Sequence, residues 1–313
     1  MKIVYMGTPD FAVEPLEAII KAGHEVVAVV TQPDRVKGRG QEVSQSPVKE
    51  CALKYNLKVL QPEKIRKSEW VSELAKLEAD IFVVAAFGQI LSKEILMMPR
   101  FGCINIHASL LPKYRGAAPI QWCILNGEEY TGVTIQQMAE GVDTGDILLK
   151  ESIPIEDKDT GNSLFDKLMH LGADMIVRVL PMIENGSVTH VPQNEDEATH
   201  VGKISKDLGL VNWSDEAEKI ERYVRGLNSW PSAYTVLNGK TLKIWESEVE
   251  NIENESVSVL VPGTVAQIDS ESFTVICGKG FLKIKQVQLE GKKRMNVHDF
   301  LLGYHIEEGT KLG

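Results

Sequence analysis

The 313-residue sequence has few cysteines, no long apolar run and no internal repeat. The four cysteines lie far apart, which excludes a Cys-x-x-Cys metal or redox pair, and we interpret them as reduced thiols of a cytosolic enzyme. No apolar run approaches the roughly 18 residues of a membrane span. The opening segment Met1–Gly7 is too short for a secretory signal, so we expect a cytoplasmic protein with no membrane partner.

The sequence also lacks an excess of positive charge. It has 34 Lys and Arg against 44 Asp and Glu, which gives a net charge of −10. This balance argues against a simple basic nucleic-acid binder. Apolar residues at 43% and charged residues at 25% exclude collagen-like, coiled-coil and disordered chains. The length predicts about two domains.

Strand-like and helix-like segments alternate through the first half, which is the pattern of βαβ units and predicts an α/β fold with a mostly parallel sheet. The predicted strands are Lys2–Met6, Glu25–Val30, Leu57–Leu60, Asp80–Phe87, Cys103–His107, Gly132–Met138 and Ile147–Ile155. The predicted helices are Phe11–Ala22, Pro47–Tyr55, Glu63–Leu77, Ala117–Leu125 and Ser163–Ile183.

The second half has a different pattern. Residues 190–206 have no apolar periodicity and predict a linker. A helix near Asp215–Gly226 follows, and then short strands separated by turn signals at Leu237–Lys240, Pro262-Gly263 and Gly278–Gly280. The sequence therefore predicts an α/β domain over 1–189, a linker over 190–206 and a small β-barrel or sandwich over 207–313.

The first strand-to-helix turn lacks the glycines of a dinucleotide-binding loop. It reads Gly7-Thr8-Pro9-Asp10-Phe11, with one glycine where Gly-x-Gly-x-x-Gly is needed for close approach of a pyrophosphate. A nicotinamide-dependent dehydrogenase is therefore disfavoured.

Two polar residues share one face of the predicted strand Cys103–His107. Asn105 and His107 alternate with Ile104 and Ile106, so they point the same way at the carboxyl end of the strand, where open α/β sheets bind ligands. An amide can donate a hydrogen bond to an oxyanion, and an imidazole can transfer a proton near neutral pH. The alternative is a pair of polar residues that merely hydrogen-bond at a strand end.

An acidic residue stands between two glycines further along the chain. Gly141 and Gly145 allow an unusual backbone path, so Asp143 could reach His107 and orient its ring. The alternative is a solvated acidic turn.

Two segments are locally basic. The loop Gln32–Gln41 has Arg35, Lys37 and Arg39 beside two glycines, and Lys279–Arg294 has six cations against one glutamate. Both could contact a nucleic-acid backbone, and both could equally be solvated surface.

Three motifs, in this order, resemble the folate-dependent formyltransferase family: Asn105-x-His107, Ser109-Leu110-Leu111-Pro112-x-Tyr114-Arg115-Gly116 and Gly141-Val142-Asp143-Thr144-Gly145. Five further segments resemble the branch of this family that acts on aminoacylated tRNA: Met6–Phe11, Gln32–Arg35, Gly38–Gly40, Ser46–Lys49 and Leu227–Ala233. The resemblance extends over essentially the whole chain.

The resemblance implies a Rossmann-like N-terminal domain that binds 10-formyltetrahydrofolate and an OB-like C-terminal barrel that contacts tRNA. It implies transfer of the formyl group to the α-amine of methionine on initiator tRNA, by direct attack through a tetrahedral intermediate. No metal is expected, and we expect a monomer. The alternative is a formyltransferase for a small amine such as an amino sugar nucleotide. A non-catalytic nucleotide- or RNA-binding protein would not need the three polar residues together.

The resemblance also assigns residues. The catalytic residues would be Asn105, His107 and Asp143. The folate site would contain Ser109, Leu110, Leu111, Pro112, Phe87, Gly88, Gln89, Ile90, Leu91, Glu140, Gly141 and Val142. Together with the basic segments, it predicts that tRNA is contacted by Arg35, Lys37, Arg39, Lys292, Lys293 and Arg294.

Overall fold

A computed structural model describes residues 1–37, 42–250 and 261–313 of the chain. The chain divides into two compact units. Unit 1 contains Met1–Pro119, Tyr130–Pro154 and Phe165–Val201, and unit 2 contains Ile120–Glu129, Ile155–Leu164 and Gly202–Gly313. The domain boundaries expected from the sequence stay a prediction.

The elements up to residue 201 alternate much as the sequence predicts. The strands are β1 (Lys2–Gly7), β2 (Glu25–Val30), β3 (Arg35–Lys37), β4 (Glu42–Ser44), β5 (Val59–Leu60), β6 (Ile81–Ala85), β7 (Cys103–His107), β8 (Arg115–Gly116), β9 (Tyr130–Gln137), β10 (Ile147–Pro154) and β11 (His200–Val201). The α-helices are α1 (Val13–Lys21), α2 (Pro47–Lys54), α3 (Ser68–Ala75), α4 (Lys93–Leu96), α5 (Pro119–Leu125) and α6 (Gly161–Glu184). Short 3₁₀ turns cover Asp10–Ala12 and Glu195–Glu197.

A seven-stranded sheet organises unit 1, in the order β10-β9-β7-β6-β1-β2-β5. The five strands from β7 to β5 are parallel, while β9 runs antiparallel between β7 and β10. The prediction of a mostly parallel α/β sheet is confirmed. Because parallel strands end at one edge, the segments that follow β6 and β7 lie side by side there.

The central strands are buried on both faces. Ile3, Val4, Tyr5 and Met6 of β1 are all fully buried, as expected when helices cover both sides of a parallel sheet. This continuous apolar run explains why β1 is recognisable in the sequence without any alternation of apolar and polar residues.

Helix α3 is shorter than the predicted helix Glu63–Leu77. The side chain of Gln89 binds the backbone just before it, accepting from the N–H of Ile65 and donating to the carbonyl of Pro62, both at 2.8 Å. These backbone groups are bonded to Gln89 rather than within a helical turn, so α3 begins at Ser68.

Unit 2 has an antiparallel sheet in the order β12-β13-β16-β15-β14, with β17 paired to β16. A 3₁₀ turn covers Asp207–Gly209, and the further elements are α7 (Ala217–Gly226), β12 (Ala233–Leu237), β13 (Lys240–Glu250), β14 (Val265–Ile268), β15 (Phe273–Ile276), β16 (Phe281–Leu289), β17 (Met295–Asn296) and α8 (Val297–Gly303). Residues from α7, α8 and the strands form its buried apolar core.

The small β-domain of the sequence prediction is confirmed in unit 2. Asn238 and Gly239 both have positive φ, the requirement of the two-residue hairpin turn between β12 and β13. Residues 310–313 bridge the two end strands: the N–H of Gly313 donates to Val236 of β12, and the N–H of Val265 in β14 donates to Thr310. The arrangement is consistent with an OB-like barrel. Within the described ranges, no helix combines the length and apolarity needed to cross a membrane.

Candidate active site

Two polar side chains lie together on β7. Asn105 is partly exposed and His107 is 6% exposed, while the alternating Ile104 and Ile106 are buried. Because side chains alternate along a strand, the amide and the imidazole lie on the same face. They lie toward the carboxyl end of β7, beside β6, at the edge where such sheets bind ligands.

Asp143 lies in the loop between β9 and β10, with its backbone in the left-handed region at φ +53°. The flanking glycines make the loop path possible. A Cβ on Gly145 would lie 1.6 Å from the carbonyl oxygen of Gln137, and one on Gly141 would lie 2.4 Å from the hydroxyl of Thr144. Backbone atoms therefore leave room only for glycine at position 145, whereas a side chain at position 141 would require the Thr144 side chain to move.

The structure brings the three predicted catalytic side chains together. Asp143 Oδ1 lies 3.4 Å from Asn105 Nδ2 and 3.6 Å from His107 Nδ1, and the Asp143 side chain is 14% exposed. The predicted approach of Asp143 to His107 is thus observed, whereas the catalytic roles stay a prediction. The described residues contain no group of three or more His, Cys, Asp or Glu placed to hold a metal ion.

The tautomer of His107 follows from its surroundings. Its Nε2 lies 3.0 Å from the carbonyl oxygen of Tyr114, which can only accept a hydrogen bond, so Nε2 carries a hydrogen. Tyr114 has φ +61°, and this left-handed backbone directs the carbonyl onto the ring. The other nitrogen, Nδ1, faces Asp143 and can hold either a lone pair or a second proton.

Further groups hold Asp143, and the sequence did not reveal them. Gln136 Nε2 donates to Oδ1 at 2.8 Å, and the backbone N–H of Gly116 donates to Oδ2 at 2.9 Å. Gln193 Nε2 donates to the Asp143 carbonyl at 2.8 Å. Gln136 stands directly opposite Asn105 across β9 and β7, a register that only the folded sheet shows.

The predicted folate segment after β7 is mostly buried. Ser109, Leu111 and Pro112 are buried, and Leu110 is partly exposed. Thr134 of β9 holds the segment, because its hydroxyl donates to the Ser109 carbonyl at 2.7 Å and accepts from the Leu111 N–H at 3.1 Å. Leu110 is the residue of this segment that is accessible to a ligand.

The predicted folate loop after β6 also contains both buried and exposed residues. Phe87 and Leu91 are buried in the core, and the Gln89 side chain is bonded to backbone before α3. Gly88 has φ +82°, and Ile90 is 63% exposed. In this loop the backbone and Ile90 are accessible.

The third predicted folate segment lies before Asp143. Glu140 pairs with Lys93 of α4 at 3.1 Å, which ties this loop to the segment after β6. Val142 is 57% exposed, so it resembles Ile90 in presenting an apolar side chain to solvent. The folate contacts of all three segments stay predictions.

Part of the predicted tRNA-contacting set can be located. Arg35 is exposed on β3, whereas the Lys37 side chain and the whole of Arg39 lie outside the described residues. Three exposed cations lie between β16 and β17: Lys292, Lys293 and Arg294. Their contact with tRNA is not tested by the fold.

The cations of the basic stripe Lys279–Arg294 differ in whether they pair with carboxylates. Lys279 pairs with Glu216 at 3.7 Å, Lys283 with Asp269 at 3.4 Å, and Lys285 with Glu248. Carboxylates therefore offset the charge of the lysines on β16 and before it. Among the ion pairs of the described residues, none involves Lys292, Lys293 or Arg294.

Comparison with known proteins agrees with the motifs. The formyl transferase family model matches residues 1–180, and the formyl transferase C-terminal domain model matches residues 203–305. A methionyl-tRNA formyltransferase of Agathobacter rectalis is 54% identical over 310 residues, which is 99% of each chain. A protein of the same name from Lachnospira eligens is 50% identical over the full length of both chains.

Solved structures with the same fold include more distant relatives. The sugar 3N-formyl transferase WlaRD, determined in the presence of dTDP and 5-N-formyl-THF, is 23% identical with a TM-score of 0.66 and covers 94% of this chain and 99% of its own. HypX from Aquifex aeolicus, in complex with tetrahydrofolic acid, is 17% identical with a TM-score of 0.64 and covers 99% of this chain and 50% of its own. From the two family models and the full-length relatives, we conclude that the chain belongs to the formyl transferase family.

Proposed function

We propose that the protein transfers the formyl group of 10-formyltetrahydrofolate to the α-amino group of methionine on initiator tRNA, for translation initiation. The observation that carries the chemistry is the convergence of Asn105, His107 and Asp143 at the carboxyl edge of the sheet. The choice of Met-tRNA as the formyl acceptor is supported by full-length relatives named methionyl-tRNA formyltransferase, which are 54% and 50% identical to this chain.

The side chains suit direct attack of an amine on a formyl carbon. Attack forms a tetrahedral intermediate with a negatively charged oxygen. Asn105 uses one amide hydrogen toward Asp143 and keeps the other for that oxygen. His107 can pass a proton through Nδ1, from the attacking nitrogen to the departing folate nitrogen, with Asp143 stabilising the imidazolium. The bond that forms is C–N to methionine, and the one that breaks is C–N to folate.

The folate would lie across the segments that follow β6 and β7. These segments offer backbone groups, the exposed side chain of Ile90 and the partly exposed side chain of Leu110, and the loop before Asp143 adds the exposed side chain of Val142. Sites for small molecules are lined mostly by apolar side chains, with a small number of polar groups that fix orientation. The pterin would therefore be recognised mainly by backbone hydrogen bonds, which side-chain patterns do not show.

The tRNA would contact the cations between β16 and β17. The guanidinium of Arg294 lies over the ring of Trp245 at 4.9 Å, with Lys243 on the same ring at 5.5 Å. Stacking holds the Arg294 side chain against the sheet while it stays exposed, which suits it to phosphate contact.

A comparison of formyl acceptors tests the activity. Purified protein and 10-formyltetrahydrofolate are incubated with initiator Met-tRNA, free methionine or a dTDP-amino sugar, and formyl transfer is measured. We expect transfer to Met-tRNA with a kcat/KM far above that of either small amine. Transfer to the amino sugar without transfer to Met-tRNA would favour the small-amine alternative, and no transfer to any acceptor would contradict the proposal.

A charge-neutralising variant tests the tRNA surface. Replacing Lys292, Lys293 and Arg294 with Gln should raise the KM for Met-tRNA. The slope of log KM against log salt concentration should also become smaller. The expected decrease is about 0.7–0.9 for each phosphate contact that is lost. The matched control replaces the acid-paired lysines with Gln: Lys279, Lys283 and Lys285. An unchanged KM in the first variant, or an equal change in slope for both, would contradict this surface.

A further inference from the structure

We propose that Gln193, held in place by Arg115 and Glu195, is a positioning residue that fixes the loop of Asp143. The inference rests on the proposed function, because it concerns the placement of a proposed catalytic carboxylate. The sequence placed Gln193 in a linker. The structure instead makes it the connection between a buried cation and the active-site loop.

The Asp143 backbone needs an external support. A non-glycine residue at φ +53° is in a sparsely populated conformation that persists only where its surroundings hold it. Gln193 Nε2 donates to the carbonyl of Asp143 at 2.8 Å and to that of Gly145 at 2.7 Å. One amide group therefore holds the loop on both sides of Thr144.

Arg115 fixes which way that amide faces. Its guanidinium is 1% exposed, and Nε and Nη2 donate to Gln193 Oε1 at 3.1 and 2.9 Å. Because the oxygen is held by two donors, the Gln193 nitrogen must point to the loop. Backbone pairing of Arg115 with β11 holds the arginine itself.

Glu195 completes the support. Its carboxylate accepts two parallel hydrogen bonds from Arg115, at 2.8 and 2.7 Å, which is the strong bidentate geometry of an arginine–carboxylate pair. The hydrogen bond from Arg115 holds the pKa of Glu195 below its ordinary range. Glu195 thus compensates the buried guanidinium, and Arg115 is free to orient Gln193.

The replacement Gln193→Glu separates the two roles of this side chain. The carboxylate keeps the acceptor for Arg115 but opposes the carbonyls of Asp143 and Gly145 with an oxygen instead of a donor. The loop is expected to move, and a displacement of about 1 Å in an active site can lower the rate about 100-fold. Asn194→Asp is the matched control, since it makes the same chemical change at the neighbouring exposed residue, whose side-chain oxygen still accepts from Asp196.

The experiment measures kcat, both KM values and the pH profile of kcat in formyl transfer to Met-tRNA. We expect Gln193→Glu to lower kcat about 10- to 100-fold with KM values within about threefold of wild type. The pH profile should also change, because the carboxylate nearest the His107 ring has moved. Asn194→Asp should match wild type. The uncharged variant Gln193→Met should lose kcat similarly.

The results distinguish two kinds of failure. If wild type transfers no formyl group to Met-tRNA, the proposed function is wrong and this inference falls with it. If wild type is active, wild-type kcat in either Gln193 variant overturns the positioning role. Equal losses in Gln193→Glu and Asn194→Asp also overturn it, because they would show a general effect of surface charge. If the Gln193 variants only lower the midpoint of thermal unfolding and leave kcat unchanged, the residue is purely structural. That result also overturns the positioning role.

Discussion

The replacement Asp143→Asn keeps the size of a central side chain and removes its charge. In the wild type, Oδ1 accepts from Gln136 at 2.8 Å and from Asn105 at 3.4 Å, and Oδ2 accepts from the Gly116 N–H at 2.9 Å. Whichever way the new amide turns, its NH₂ group faces one of these donors. The variant therefore loses at least one hydrogen bond to a charged acceptor, which costs about 1.5–3 kcal/mol.

The removal of the charge is the larger effect. His107 Nδ1 lies 3.6 Å from Asp143 Oδ1. At such a separation, a unit charge pair is worth about 4 kcal/mol at an effective dielectric constant of about 20. If the imidazolium forms in the transition state, its loss corresponds to a decrease in kcat of about 10³-fold, within the range of about 10²–10⁴ usual for proton-transfer groups.

Steady-state formyl transfer to Met-tRNA measures this effect, with folate binding followed separately. We expect kcat to fall about 10³-fold while the Kd for folate changes little. The matched control is Asp146→Asn in the same loop, where the carboxylate is partly exposed and lies 3.8 Å from His190. A kcat for Asp143→Asn within threefold of wild type, or equal losses in both variants, would show that the Asp143 charge does not stabilise the transition state.

Three further predictions concern stability and reactivity. Gly145→Ala should abolish activity and lower the unfolding midpoint, because its Cβ would lie 1.6 Å from a backbone oxygen of β9; wild-type stability on thermal denaturation would contradict the loop geometry. Burial raises the pKa of the Cys103 and Cys277 thiols to about 12, so both should resist alkylation at pH 8 until the chain unfolds, and rapid native labelling read by mass spectrometry would contradict this. Arg115 lowers the pKa of Glu195 from its ordinary value of 4.5, so the stability that Glu195 contributes is present above about pH 4.5 and is lost as the pH falls through the folded value. The difference in unfolding midpoint between wild type and Glu195→Gln should therefore shrink below pH 4.5, and a constant difference down to pH 3 would be contrary evidence.

Local patterns predicted the part of the site that lies on one strand. Strand β7 has the predicted bounds, and the alternation of its residues placed Asn105 and His107 on one face. The glycines around Asp143 correctly indicated an unusual loop. These signals are local, because strand periodicity and glycine backbone freedom act over a few residues.

The supports of the site depend on residues far apart in the chain. Gln136 meets Asn105 only because β9 reverses direction beside β7, and Gln193 reaches Asp143 across 50 residues. Polar side chains that bond over such separations leave no periodic pattern, so the segment around Gln193 resembled a linker. The sequence also could not show which cations of the basic stripe are paired with acids. Glu248, the partner of Lys285, comes from the neighbouring strand β13.

A crystal structure with a stable formyl-folate analogue would show where the formyl group binds. We propose that the formyl group reacts between the side chains on β7 and the loop of Asp143. We expect the formyl oxygen at about 2.7–3.1 Å from Asn105 Nδ2, with the folate nitrogen within hydrogen-bond or single-water distance of His107 Nδ1. A formyl group bound beyond the reach of both side chains would contradict the proposed site.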